Sequence, residues 1–346
     1  MRHELAGPLL SGSLGRVTLL SVMAFLVAML LTPVYTFLAY RYRFWKRQRE
    51  TATTGEKLEV FTKLHEAKFK RSIPTMAGII GVLTVTIITL LFNLDRSQTW
   101  LPLAALVGGG AVGLLDDVIN IRGSGLGVAG LRSSLKFLMI VAIGAVLGWF
   151  FYQRLGFTSV QLPFGPSIDI GMWIIPLFAF VVTATGNAVN ISDGLDGLAG
   201  GLLATSFGAF GIIALLQGQF MIGAFCFTVV GVLLSYLWFN IYPARFFMGD
   251  VGSFAYGVSL GVVAMLTNSL LLLPVIGLMF VIEAGSSLIQ ITSKRLFGKK
   301  VFISAPIHHH LEAGGWPEVK VTMRFWVIGC MAAFFGVLIA VTGGYL

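Results

Sequence analysis

Ten apolar runs, separated by short polar stretches, account for most of this 346-residue chain. They lie near 17–40, 75–94, 100–115, 135–152, 172–190, 198–216, 220–240, 253–268, 270–293 and 322–343. About 20 apolar residues carry a helix across the hydrocarbon of a bilayer, whereas a barrel strand needs only about 10. In that medium only helices and closed barrels satisfy their backbone groups, and runs of this length select helices. The spacing therefore predicts an all-α polytopic membrane protein of about ten transmembrane helices, forming a single domain over 1–346. Composition agrees: 56% of residues are hydrophobic and 11% charged, against about 25% charged in soluble domains.

Lys and Arg set the orientation. The stretch after the first run holds ten of them between Arg41 and Arg71, and twenty of all 24 fall on that same side of the predicted membrane. That side is read as cytoplasmic, which leaves both termini external. The net charge of +9 follows this asymmetry rather than an aromatic-interleaved patch, so no nucleic-acid partner is expected; the excess suits anionic lipid and anionic substrates. The first run is too long for a signal-peptide core and is read as a retained span. The stretch 153–171 after the fourth run, with Gly165 and Pro166, reads as a small external hairpin. Cys226 and Cys330 lie in apolar runs and imply no disulfide. In the ninth run Pro274 precedes Glu283, Gly285, Ser286 and Ser287, a pattern that predicts a broken span.

The polar residues with chemical potential gather between these runs, all on the Lys- and Arg-rich side. Asp116 and Asp117 are read as ending the third span, where two acids repel each other and oppose the helix dipole, so a divalent cation or a lysine is expected beside them. Neighbours on a helix point about 100° apart, so the two acids should differ in role. Asn187, Asn190, Asp193 and Asp196 recur at intervals of three, with Gly194 and Gly197 permitting a break. Their oxygens suit a hard cation or the hydroxyls of a sugar or nucleoside. Asn240, Phe247 and Asp250 flank a Gly-rich turn opening the eighth span, where helix amides favour anions. His308, His309 and His310 cannot converge on one point of a regular helix, so they suit phosphate binding or substrate orientation better than zinc. Glu283 is an intramembrane acid, read equally as a functional group or as part of an interhelical polar contact with Ser286, Ser287 and Gln290.

Together, Pro74-Thr75-Met76, Asp116-Asp117, Asn187 to Ala199, Phe239 to Ser253 and Ala305 to Glu312 resemble the polyprenyl-phosphate N-acetylhexosamine-1-phosphate transferases over nearly the whole chain. The Pro306-to-Glu312 run is similar to the branch that uses UDP-N-acetylmuramoyl-pentapeptide. Ser72, Ala77 and Ala129 depart from the family's usual residues. The resemblance implies transfer of phospho-N-acetylmuramoyl-pentapeptide from UDP to undecaprenyl phosphate, with release of UMP and Mg²⁺ as cofactor. It implies a homodimer in the bacterial cytoplasmic membrane, with the active site facing the cytoplasm. It implies Asp116, Asp117, Asp250, His308 and Lys70 as catalytic residues. Asp250 and Asn187 would meet the metal. Thr75, Lys136, Asn187, Asn190, Asp193, Asp196, Asn240, Phe247, His309 and His310 would contact substrate. It also implies that the ninth helix bends away beside the Asp cluster to leave a groove for the polyprenyl tail.

Two other classes compete. A sister transferase using UDP-N-acetylglucosamine would share the acids but not the histidine run. A transporter would hold its acids near the membrane midplane, whereas these gather at one face.

Overall fold

The computed structural model describes residues 2–45, 73–123 and 130–346. The long helices, in chain order, are α1 Arg2–Arg41, α2 Gly78–Phe92, α3 Trp100–Arg122, α4 Ser133–Leu155, α5 Ile174–Ser192, α6 Leu198–Leu216, α7 Phe220–Asn240 and α8 Gly249–Leu266. Then come the short α9 Leu273–Ile276, α10 Leu278–Phe297, the short α11 Ile307–Ala313, and α12 Glu318–Thr342. Among the described residues, eight helices are long and apolar enough to cross a membrane, and the bent pair around Gly277 makes a ninth candidate. The second predicted run forms α2, only 15 residues long. The chain is thus an all-α polytopic membrane protein.

Helix α8 is the axis of the bundle, buried from Gly249 to Leu266. Helix α3 packs along one side of it so closely that a Cβ on Gly113 would stand 2.0 Å from the carbonyl oxygen of Asp250. Small residues allow such backbone approach where lipid supplies no hydrophobic drive between helices. Outward-facing residues are apolar in turn: Leu30 of α1, Leu138 of α4, Phe180 of α5 and Trp238 of α7 are all exposed.

Hydrogen bonds lace each end of the bundle. At one end, Asn93 and Gln98 reach the backbone of Met221, and Gln217 donates to the carbonyls of Thr267 and Tyr345. Near that end, strands β1 Ser159–Gln161 and β2 Ser167–Asp169 pair antiparallel, and Gln161 N–H donates to Asn268. At the other end lie the C-termini of α3, α5 and α7 and the N-termini of α4, α6, α8 and α12, where the polar motifs fall.

Two expectations shift. Asp116 and Asp117 do not end their span, because α3 runs on to Arg122 and stops at Gly123, whose φ is 79°. The apolar residues Val118, Ile119 and Ile121 carry the helical pattern past the acids. The ninth run is broken, with its two parts meeting at 81°. The break falls at Gly277, just after Pro274, rather than at the Glu283-to-Ser287 stretch, which lies within continuous helix α10.

Candidate active site

The first turn of α8 is held in place by its approach. The N–H of Phe247 donates to Pro74, and those of Ala77 and Gly78 donate to Phe247 and Met248, so the 74–78 segment runs alongside 247–248. Thr75 is buried in this pairing; its carbonyl accepts the hydroxyl of Tyr35 and its N–H donates to Phe44. Gly249 then turns with φ 75°, where a Cβ would stand 2.5 Å from Asp117 Oδ2. Only a residue without a side chain fits that turn, and Asp250 follows on the first helical turn.

Three buried acids meet there. Lys136 Nζ, from the first turn of α4, lies 2.7 Å from Asp250 Oδ2 and 3.2 Å from Asp116 Oδ2. Asp116 Oδ1 accepts the N–H of Leu131 at 2.7 Å. The Phe254 ring, 5.1 Å away, covers the Lys136 ammonium. Asp117 turns elsewhere: its Oδ2 accepts the N–H of Val251 at 3.0 Å. A carboxylate from α3 thus caps the start of α8, where the dipole favours negative charge. The adjacent acids have different partners, as their helical angle requires.

Asp116, Asp117 and Asp250 are 1%, 0% and 5% exposed, and buried carboxylates are costly unless charge or hydrogen bonds offset them. Lys136 meets two of the three, and the carboxylate oxygens of that pair also suit a further cation. Among the described residues no group of three or more His, Cys, Asp and Glu forms a metal site. Mg²⁺ does not require one: it takes one or two carboxylates and keeps waters or phosphate oxygens. The hard oxygens of Asp250 and Asp116 fit it. Asn187 directs Nδ2 to the Thr183 carbonyl one turn back, so Oδ1 is its cation-compatible atom.

The end of α5 forms the next wall. Asn190 Nδ2 donates to Ser253 Oγ at 2.9 Å, joining α5 to the turn that carries Asp250. Helix α5 stops at Ser192, and Asp193 and Gly194 start the turn into α6. Asp196 accepts the Ala244 N–H at 3.0 Å, and its own N–H donates to Glu318 Oε1 at 2.7 Å. Asn240 uses both ends of its amide, accepting from Gly197 N–H and donating to the Phe246 carbonyl. Asp196 and Asn240 therefore set the shape of this loop.

The three histidines of α11 each have a different partner. His308 Nδ1 lies 2.7 Å from Glu283 Oε2, and His309 Nδ1 lies 2.8 Å from Glu312 Oε2. His310 Nδ1 accepts the Ile303 N–H, and its ring meets Phe302 edge-on. The Nε2 of His308 abuts Gly194, 2.4 Å from where a Cβ would stand. The histidine segment thus closes on the Asp193 turn. Burial, helped by the neighbouring His308 charge, pushes the His309 imidazole down to about 4, against the pull of Glu312.

Asp116, Asp250 and Lys136 are in direct contact, Asn190 joins them through Ser253, and His308 joins the Asp193 turn. Lys70, Ser72 and Ala129 lie outside the described residues. Sequence reading did not single out Glu312 or Glu318. The first stands three residues beyond His309 on a helix, a spacing that could have revealed it; the second is paired across 122 residues, which leaves no local trace.

The sequence pattern of glycosyl transferase family 4 matches residues 99–268. A phospho-N-acetylmuramoyl-pentapeptide-transferase of Chloroflexus aurantiacus is 40% identical over 345 residues, covering 96% of this chain and 91% of the relative. Its counterpart in a Geobacillus species is 38% identical over 327 residues, covering 92% and 96%. One from Listeria monocytogenes is 39% identical over 287 residues, covering 81% and 87%.

Proposed function

The chain belongs to the phospho-N-acetylmuramoyl-pentapeptide transferase family, and from that membership we propose that it transfers phospho-N-acetylmuramoyl-pentapeptide from UDP to undecaprenyl phosphate. A phosphate oxygen of the acceptor bonds to the phosphorus nearest the sugar, the pyrophosphate bridge breaks, and UMP leaves. The observation that carries this reading is the buried Asp116–Lys136–Asp250 cluster, set at the bundle end that also holds the Asn187–Asp196 stretch and the histidine segment.

Two anionic substrates must meet, so neutralising charge is the main task. Lys136 offsets phosphate charge, with Lys70 assigned the same role. Asp250 and Asn187 would hold Mg²⁺, which would supply Lewis-acid stabilisation of the transferred phosphoryl oxygens. Asp116 positions the acceptor phosphate, and Asp117 holds the start of α8 so that Asp250 keeps its place. A phosphate monoester is largely ionised at neutral pH, so Asp116 need not be a strong base. Asn190, Asp193, Phe247 and Thr75 line the donor side, on a loop shaped by Asp196 and Asn240. His308 meets the reacting groups, while His309 and His310 hold the donor.

The bundle end with the acids faces the cytoplasm of a bacterium, in keeping with the placement of twenty of 24 Lys and Arg on that side. The opposite end, including the β1–β2 hairpin, is external. The polyprenyl tail is assigned to the membrane face beside the 81° bend between α9 and α10, where it would stay in hydrocarbon while its phosphate reaches the acids. Exposed apolar helix faces meet membrane lipid and a second copy of the chain.

UMP release from UDP-N-acetylmuramoyl-pentapeptide by the purified protein in detergent tests the proposal, with and without undecaprenyl phosphate and Mg²⁺. Release that needs all three components is expected. Equal release from UDP-N-acetylglucosamine in a competition assay would move the protein to the sister branch.

A further inference from the structure

One face of α10 carries Glu283, Ser286 and Gln290, at helical spacing and all buried. Each binds the segment that leads into the histidines. Gln290 Oε1 accepts the N–H groups of Val301 and Phe302, and its Nε2 donates to the Phe302 carbonyl. Ser286 Oγ accepts the Ile307 N–H at 2.9 Å and donates to the Glu283 carbonyl. Glu283 Oε2 meets His308 Nδ1 at 2.7 Å, with both side chains at most 1% exposed. The histidine segment is therefore bolted along α10.

We propose that Glu283 is a positioning residue for the transfer, fixing the His308 imidazole so that Nε2 faces the Asp193–Gly194 turn. When ionised, Glu283 can only accept a hydrogen bond; Nδ1 then carries the proton and Nε2 is the nitrogen presented to the site. Glu283 Oε1 has no hydrogen-bond partner among the described residues. A buried acid kept only as an anchor would gain nothing from that second oxygen, and a neutral acceptor would hold the segment without a carboxylate's desolvation cost. Ser286 and Gln290 already supply the anchoring. The distinctive contribution of Glu283 is to the orientation and basicity of one imidazole, the service carboxylates give to working histidines elsewhere. Glu283 has this role only because His308 belongs to the active site, as proposed above.

The test is a double-mutant cycle on the full chain in detergent. UMP release gives kcat and KM for UDP-N-acetylmuramoyl-pentapeptide, and thermal unfolding is followed alongside. Glu283→Ala is expected to lower kcat by about 10–100-fold, the usual loss when a histidine's orienting partner is removed, with KM changed little. Glu283→Gln, whose amide oxygen can still accept the Nδ1 proton, should recover part of that loss. In a His308→Ala background Glu283→Ala should cost nothing further. Losses that multiply in the double variant would overturn the positioning role, since they would show Glu283 acting apart from His308. Should Glu283→Ala fail to fold, Glu283→Gln takes its place in the same cycle, and an undiminished loss beside His308→Ala would again overturn it. A fully active His308→Ala protein would instead remove His308 from the active site, and that single variant separates the two failures.

Discussion

The Nζ of Lys136 lies 2.7 Å from Asp250 Oδ2, joining residues 114 positions apart. The same ammonium meets Asp116 at 3.2 Å, so one cation holds together two acids from different helices. Lys136 also sits in the first turn of α4, where a helix dipole disfavours positive charge. Its position is sustained by the acids, and theirs by it.

Lys136→Met should therefore harm turnover more than the loss of a surface charge would. It leaves Asp116 and Asp250 facing each other without their shared cation and removes a phosphate partner. A fall of about 10²–10³ in kcat is expected for one such electrostatic contact. Lys136→Arg keeps the charge and should retain more activity than Lys136→Met. UMP release measures both; near-normal turnover by Lys136→Met would dismiss the cluster as the working site.

Asp250→Ala tests the metal assignment. Turnover should fall by at least about 10²-fold, since the residue is assigned as a ligand where charge stabilisation dominates. Asp117→Asn should behave differently, because an amide oxygen can still accept the Val251 N–H and keep α8 capped. Its unfolding midpoint should stay close to that of the parent protein. A large drop for Asp117→Asn would mean that its charge, not its hydrogen bond, holds the start of α8.

Much of this arrangement was legible in the amino-acid sequence. Hydropathy located the spans because lipid demands unbroken apolar length, and the departures from it, at Asp116, Asp193, Asp250 and His308, marked the polar end of the bundle. Helix continuity past Asp117 was not legible, because two acids lower local hydropathy without breaking a helix whose backbone bonds continue to Arg122. Nor were the partners. Asp117 with Val251 and Glu318 with Asp196 are joined by packing across more than a hundred residues, and nothing in either local pattern points to the other. For Glu283 the sequence left a functional group and a packing contact equally open, and its partner on α11 became visible only once the chain was folded.

Gly249→Ala probes how tightly the site depends on its backbone. The residue has φ 75°, and a Cβ there would stand 2.5 Å from Asp117 Oδ2 and 2.8 Å from the Met76 nitrogen. An alanine must either strain the turn or push these groups apart, a cost of about 1–3 kcal/mol. A lower thermal midpoint together with lost turnover is expected, since Asp250 follows directly. An unchanged midpoint would show that the turn can relax without disturbing its neighbours.

His309 gives the fold a pH dependence of definite sign. Burial foremost, then the charge of His308, hold its imidazole at about 4 in the folded protein, below its ordinary value of 6.5. The unfolded chain therefore binds more protons between these values, and stability rises with pH across that window. The contribution is full above about 6.5 and is lost as pH falls towards 4, with a limiting slope of about 1.4 kcal/mol per pH unit for one group. Glu312, at 2.8 Å, opposes this by favouring the charged ring. His309→Gln should flatten the fall in the unfolding midpoint between pH 6.5 and 4, while Glu312→Gln, which removes the opposing charge, should steepen it. Thermal unfolding in detergent across that range decides the matter, and an unaltered slope in His309→Gln would assign the acid sensitivity to other groups.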